Sequence, residues 1–328
     1  MSDTCVVSTP AKLALFGEHA VVYGGHCIVT AVNKRMWVKI RDSHETILTS
    51  KDMGFDHYLI EKGPTHPRNA AFVIGALQSI SNYFGRPFSG EIEIWSDFSA
   101  KYGLGSSSAV TVGVIKALAH LNNLKLDNDT LFRIAYDAVL NVQGRHKKSG
   151  IPLASGFDVA SAIYGGTMDF SQNGKVRALP ISDIPLIVAY SGEKASTAFY
   201  VNKVADLCAG HNSLCQSLFS ISDEIVKLAE SALLRRDWEE VGILMTLNHG
   251  LLSSLGVSTE TLGRLVSIAI KEGAYGAKLS GAGGGDCVIA VAGKDSYKNV
   301  SEKLESGGAE ILPLDVNAEG VKVEVSGN

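Results

Sequence analysis

The segment Lys101-Tyr102-Gly103-Leu104-Gly105-Ser106-Ser107-Ser108 carries the residue types of a phosphate cradle. It follows the apolar run Ile92 to Trp95 and precedes Val110, Val114, Ala117, Leu118 and Leu121, which recur at helical spacing, so the loop opens a helix. A helix start presents backbone N–H groups without intrahelical partners and the positive end of the dipole, and phosphate suits both. Glycine lets the backbone approach such a ligand closely, and the serine hydroxyls can donate to phosphate oxygens or, at Ser107 first, coordinate magnesium. The plain alternative is a strand-to-helix turn capped by serine. Other motifs fail here. No Gly-x-x-x-x-Gly-Lys-Ser/Thr occurs, Ser108 stands where a dinucleotide fingerprint needs its third glycine, and Ser107-Ser108-Ala109 does not continue as a hydrolase nucleophile elbow.

Two carboxylates are candidates for work beside that loop. Asp158, within Ala154-Ser155-Gly156-Phe157-Asp158-Val159-Ala160, can orient an acceptor hydroxyl and take its proton if it lies within hydrogen-bond reach, although an Asp after Gly-Phe taken alone reads as a turn or a cap. Asp286 follows Gly283-Gly284-Gly285, where glycines permit a loop to pack closely against a substrate or simply form a bulge before a strand.

The elements that must position these residues are short strands at Val6 to Thr9, Ile28 to Val32, Met36 to Ile40 and Ile92 to Trp95, with a helix through Val73, Leu77, Ile80 and Phe84 that stops at Gly85. A further helix starts near Asp129, and Thr167 to Phe170 closes the first half. After Leu186 to Tyr190, helical periodicity dominates from Ser196 to Ile270, and strands return at Cys287 to Val291 and in the alternation Val321, Val323, Val325. Strands, then helices, then strands predict two α+β domains, residues 1–175 and 176–328, with the boundary near 172–182.

A chain of 328 residues, 45% hydrophobic and 20% charged, is a compact globular protein. Its longest apolar runs fall far short of the roughly 18 residues that cross a bilayer. Met1-Ser2-Asp3-Thr4-Cys5 lacks a basic flank followed by an apolar core, so the expected location is cytoplasmic. A net charge of −4 gives no basic field for nucleic acid. The five cysteines form no C-x-x-C pair and read as reduced core residues.

Gly103-Leu104-Gly105-Ser106-Ser107-Ser108-Ala109 resembles the second, ATP-binding motif of the galactokinase, homoserine kinase, mevalonate kinase and phosphomevalonate kinase (GHMP) superfamily. Pro10-Ala11-Lys12-Leu13-Ala14-Leu15-Phe16-Gly17-Glu18-His19-Ala20 is similar to the first motif, and Lys278-Leu279-Ser280-Gly281-Ala282-Gly283-Gly284-Gly285-Asp286-Cys287 to the third. The three fall in the required order across almost the whole chain. The resemblance implies an N-terminal domain with a left-handed βαβ crossover, a ferredoxin-like C-terminal domain, and a site in the cleft between them. It also implies that Asp158 is catalytic with Lys12 as its partner, that Gly103 to Ser108 bind ATP with magnesium, and that Glu18, His19, Ser155, Gly156, Ser196, Thr197, Gly283, Gly284 and Asp286 face the substrate.

Within the superfamily the segments divide. Gly17 to Gly24 and Asn248 to Ser258 resemble mevalonate kinases. Lys101 to Ser107, Ser155 to Ala160, Ala195 to Thr197 and Gly283 to Cys287 are closer to phosphomevalonate kinases, and Gln143 falls about where mevalonate kinases carry a magnesium-binding Glu. A phosphorylated acceptor needs extra cations, and Lys101, Arg145, His146, Lys147 and Lys148 are placed in sequence to supply them, Lys101 foremost. The expectation is therefore ATP-dependent phosphorylation of 5-phosphomevalonate. Phosphorylation of mevalonate is the alternative, and a non-catalytic nucleotide-binding relative the alternative of another class. A homodimer is compatible with this reading.

Overall fold

The computed structural model describes residues 4–60 and 66–327; Met1 to Asp3, on which the expectation of no leader partly rests, lie outside the described residues. The chain runs β1 (Thr4–Phe16), β2 (His26–Arg41), β3 (Thr46–Ser50), β4 (Phe55–Leu59), α1 (Ala71–Phe84), β5 (Gly90–Ser96), α2 (Ser106–Leu121), α3 (Asn128–Gln143), α4 (Phe157–Tyr164), β6 (Thr167–Ser171) and β7 (Val176–Leu179). It continues β8 (Leu186–Tyr190), α5 (Thr197–Gly210), α6 (Asn212–Arg235), α7 (Trp238–Ser254), α8 (Glu260–Lys271), β9 (Ala274–Ser280), β10 (Cys287–Ala292), α9 (Lys294–Ser306), β11 (Glu310–Ile311) and β12 (Lys322–Gly327).

The first sheet has the order β12-β1-β2-β5-β3-β4, with β6 on β2 and β7 on β6. Helices α1 to α4 pack on it, and α2 is buried almost all round because Gly113 brings it down onto Val38 of β2. The second sheet is antiparallel in the order β11-β8-β10-β9. Numbered within itself that order is 4-1-3-2 with helices in both crossovers, a ferredoxin-like arrangement. The fold is two-domain α+β.

The structure differs from the sequence reading in three places. The strands expected at Ile28 to Val32 and Met36 to Ile40 are one, because the register against β1 shifts between Pro10 and Ala11 and the bulge absorbs the polar pair Asn33-Lys34. Asn33 turns outward there and exchanges hydrogen bonds with Asp315. The alternation at Val321 to Val325 does form a strand, but β12 pairs with β1, so the chain's end is built into the first sheet. Finally, not all five cysteines are reduced: Cys208, in the last turn of α5, and Cys215, in the first turn of α6, are brought to a Cα separation of 5.6 Å and form a disulfide. Cys5, Cys27 and Cys287 are free and buried. No helix among the described residues is long and apolar enough to cross a membrane.

One contact fixes the strand that carries the third motif. Gly242 of α7 lies directly on Gly276 of β9, and a Cβ on Gly276 would overlap the Gly242 carbonyl. Neither backbone can yield without moving its element. Gly276→Ala is expected to destabilise the fold by roughly 3 kcal/mol, read from the urea midpoint; an unchanged midpoint would mean that α7 and β9 slide freely.

Candidate active site

Four loops meet at the junction of the two sheets. Lys12 lies on β1, where the β1–β2 pairing delivers its side chain beneath the glycine loop, and its backbone N–H donates to the Leu104 carbonyl at 3.0 Å. Gly103 and Gly105 both have left-handed backbones, φ 72° and 81°. That conformation suits glycine, and space demands it as well. A Cβ on Gly103 would overlap the Asp286 carboxylate, and one on Gly105 would stand 2.9 Å from Lys12 Cγ. The loop is thus seated on the two side chains that sequence reasoning put beside it.

Lys12 Nζ lies 3.0 Å from Asp158 Oδ1 and 3.4 Å from the Gly103 carbonyl. Asp158 stands in the first turn of α4, behind a Gly156 cap at φ 93°. The contact is an ion pair off the hydrogen-bond line, so Asp158 Oδ1 is buried with no hydrogen-bond partner. Burial pulls the Lys12 pKa down, but Asp158 and then Asp286 and Glu18 outweigh it and hold the ammonium above the ordinary lysine value. The pair's stabilisation is therefore complete below the unfolded lysine pKa and is lost only as pH rises through the higher folded value.

The turn after β1 contributes Glu18 and His19. Glu18 Oε1 accepts from Lys278 Nζ and, at 3.3 Å, from the Gly281 N–H. Lys278 is fully buried; desolvation drags its pKa below the ordinary lysine value against the opposing pull of Glu18. This ion pair ties the first motif to the third, a link no spacing in the sequence announced. His19 Nε2 lies 2.9 Å from the Ala282 carbonyl and must donate to it, which leaves Nδ1 as the acceptor. Burial lowers the His19 pKa, so the ring is neutral. Glu18 Oε2 and His19 Nδ1 are both buried without partners.

These residues, Lys278 apart, line one cleft together with Ser155, Gly156, Ser108, Thr197, Gly281, Ala282 and Gln143. A second, larger and solvent-open cavity lies on the other side of the glycine loop, lined by Ser106, Ser107, Tyr102, Asn69, Phe72 and Phe98 among others. The loop is the wall between them. Its helix α2 begins at that wall, so unpartnered N–H groups and the positive dipole end serve the space where the two cavities meet.

Several expected site residues lie elsewhere. Lys101 pairs with Glu310 at 3.2 Å on the outer side of the loop and does not line the Asp158 cleft. His146, Lys147 and Lys148 form a turn outside it, where His146 and Lys148 face Asp206 of α5 and Lys147 is exposed. Ser196 caps α5, accepting from Phe199 N–H. Gly283 and Gly284 are packing glycines: side chains there would run into Val257 and the Tyr200 ring, and the Gly284 N–H is taken by the Val257 carbonyl at 2.7 Å. Gly281 and Ala282, two residues earlier, reach the cleft instead. Asp286 does line it, at φ 59°, with Oδ1 accepting from Ala195 N–H at 3.0 Å. Apart from Ser106 and Ser107, the lining of the second cavity was missed, since its residues come from four separate segments with no shared motif.

For magnesium, no group of three or more His, Cys, Asp or Glu capable of holding a metal ion occurs among the described residues. The Ser107 hydroxyl beside the phosphate-facing helix end fits an ion that arrives largely hydrated and bound to phosphates, the way magnesium is usually held.

Residues 71–166 match the family model for the GHMP kinases N terminal domain, and residues 229–310 that for GHMP kinases C terminal. The chain belongs to the GHMP kinases. It is therefore a phosphotransferase. Mevalonate kinase of Pyrococcus furiosus is 31% identical over 97% of this chain and 98% of its own length. The crystal structure of Methanococcus jannaschii mevalonate kinase superposes with a TM-score of 0.75 at 27% identity, covering 95% of this chain and 98% of that one. Streptococcus pneumoniae phosphomevalonate kinase, in complex with phosphomevalonate and AMPPNP, shares the fold with a TM-score of 0.78 at 21% identity, covering 95% of this chain and 99% of that one.

The Lys12–Asp158 geometry generates a test. Asp158→Asn keeps the shape but removes the charge and the proton acceptor, and is expected to lower acceptor-dependent ADP release by about 100-fold or more while binding of an ATP analogue persists. Undiminished turnover would remove Asp158 from the chemistry.

Proposed function

We propose that this kinase transfers the γ-phosphoryl group of ATP to the 5-hydroxyl of mevalonate. The observation that carries the reading is the charge inventory of the cleft. Its lining holds one ammonium, Lys12, against three carboxylates, Glu18, Asp158 and Asp286. Lys12 is already matched by Asp158. Lys278 is spent on Glu18 behind the wall, Lys194 lies 3.5 Å from Asp286 Oδ1, and Lys101 is held outside. A phosphorylated acceptor would bring a second polyanion to a cleft whose three carboxylates already take up the three nearby ammoniums, so no unpaired cation of its lining meets the added phosphate. The unpartnered acceptors Glu18 Oε2 and His19 Nδ1 call instead for donors, and the hydroxyls of mevalonate supply them. The curated relatives named mevalonate kinase point the same way. This reverses the preference that the sequence motifs suggested.

On this reading ATP lies along the glycine loop, with its phosphates over the start of α2 and its nucleoside in the larger cavity. The 5-oxygen of mevalonate attacks the γ-phosphorus. A new P–O bond forms, the bond to the β–γ bridging oxygen breaks, and ADP leaves. The Asp158 carboxylate aims the hydroxyl and receives its proton. Lys12 holds Asp158 ionised and offsets charge on the transferring group. Magnesium bound with ATP supplies further charge neutralisation, and Ser107 would hold it.

One observation favours phosphomevalonate as the acceptor. Gln143, uncharged, lines the cleft with Oε1 unpartnered where the superfamily's mevalonate kinases place a carboxylate. A coupled ADP-release assay with mevalonate and 5-phosphomevalonate side by side separates the two. Turnover is expected with mevalonate; activity on phosphomevalonate alone would reverse the assignment, and ATP binding with no acceptor-dependent ADP release would make the chain a non-catalytic relative.

A further inference from the structure

Lys101 and Tyr102 lead straight into the glycine loop, yet the mechanism above uses neither. Both are held by one carboxylate of the second sheet. Glu310, on the short strand β11, accepts from Tyr102 Oη at 2.5 Å through Oε1 and from Lys101 Nζ at 3.2 Å through Oε2. Tyr102 meets the Tyr190 ring of β8 edge-on at 5.2 Å, and the Lys101 ammonium sits over both rings, 5.0 and 5.4 Å from their centroids. Behind them Cys287 Sγ donates to the Tyr102 carbonyl at 3.3 Å, and the Asp286 side chain fills the place a Gly103 Cβ would take. From Lys101 to Gly103, three consecutive residues of the first domain are gripped by β8, β10, β11 and the loop before β10. Tyr102 at the same time lines the larger cavity.

We propose that Glu310 is a positioning residue for nucleotide: by docking the second domain on Lys101 and Tyr102, it fixes the glycine loop in the shape that receives the ATP phosphates. This rests on the reading of that loop as the ATP site. The Lys101–Glu310 pair is about half exposed on both sides, so its own contribution to stability is small and its effect lies in orientation. The hydrogen bond to Glu310, with burial, pushes the Tyr102 pKa up to about 12, so the hydroxyl remains a donor across the working pH range. The loop backbone is thereby anchored at the residues just before its two left-handed glycines, where small rotations would swing the N–H groups of α2.

The test compares Glu310→Ala, Glu310→Gln and Lys101→Ala with the unaltered chain. It uses calorimetric titration of AMPPNP, KM for ATP and for mevalonate, kcat at saturating ATP, and the thermal midpoint. Glu310→Ala is expected to weaken AMPPNP binding and raise KM for ATP by about tenfold, with kcat, KM for mevalonate and the midpoint nearly unchanged. Glu310→Gln, which still accepts from Tyr102, recovers part of the affinity. Unchanged AMPPNP affinity in Glu310→Ala overturns the proposal, as does a lowered midpoint with both KM values raised together, the mark of a merely structural contact. A loss of kcat at saturating ATP in Lys101→Ala also overturns it, because the lysine would then act on the transferring group. The titration needs no acceptor, so absence of turnover with mevalonate would sink the proposed acceptor and leave the Glu310 result readable. Failure of the unaltered chain to bind AMPPNP would sink both.

Discussion

The arrangement depends on keeping one ammonium charged where little water reaches it. Lys12 is buried, and desolvation alone would favour its neutral form. Asp158 from α4, Asp286 from the loop before β10 and Glu18 from the turn after β1 reverse that. These carboxylates come from segments up to 268 residues apart in sequence, counting from Glu18 to Asp286. The first sheet must place Lys12, the second must place Asp286, and the two domains must be docked before the charge is tolerable. Folding and site assembly are in this sense one event, and a partly docked chain would hold an uncompensated buried charge.

The glycines follow from the same crowding. Asp286 and Lys12 lie so close to the loop that no side chain fits at Gly103 or Gly105, which lets the loop sit on its two charged neighbours with a backbone free to turn left-handed. The adjacent serines divide between the cavities, Ser108 facing the Asp158 cleft and Ser106 and Ser107 the larger one. On the proposed reading a single turn of chain therefore addresses both reactants, as a direct transfer between them requires.

Local chemistry was the legible part of the sequence. The glycine–serine loop could be read from its residue types, whereas Lys12, Asp158 and Asp286 became legible through the resemblance of the segments that hold them to the superfamily's motifs, and the structure gathers all four. Helices α1 and α2 were legible from their 3.6-residue periodicity, and α1's end from Gly85, which caps it in the left-handed conformation. What sequence could not give was pairing. The alternation Val321, Val323, Val325 announces a strand but not that its partner is β1. Lys101 looks like a phosphate ligand by adjacency, yet its partner, Glu310, lies 209 positions on. Gly283 and Gly284 read as ligand-facing because glycine is permissive, whereas here the permissiveness serves Val257 and Tyr200. The Glu18–Lys278 pair was invisible for the same reason: each residue sits in a recognisable motif, and only the fold shows that one neutralises the other.

That last pair bears on acceptor choice. Had Lys278 pointed into the cleft, the lining would have held two cations, and a phosphorylated acceptor would have found a counter-charge. Instead its charge is consumed behind the wall in holding Glu18 Oε1, while Glu18 Oε2 is left without a donor. The ion pair thus converts a cation and an anion into a fixed hydrogen-bond acceptor, and His19, made neutral by burial and fixed through Ala282, adds a second. Rigid acceptors discriminate strongly, because a ligand without a matching hydroxyl leaves them desolvated and unpaired. On the proposed reading the nucleotide meets a different solution to its own charge: the start of α2, hydroxyls and accompanying cations answer the triphosphate. On the same reading the two answers meet at the start of α2, where the γ-phosphoryl group must come within reach of the hydroxyl selected in the Asp158 cleft.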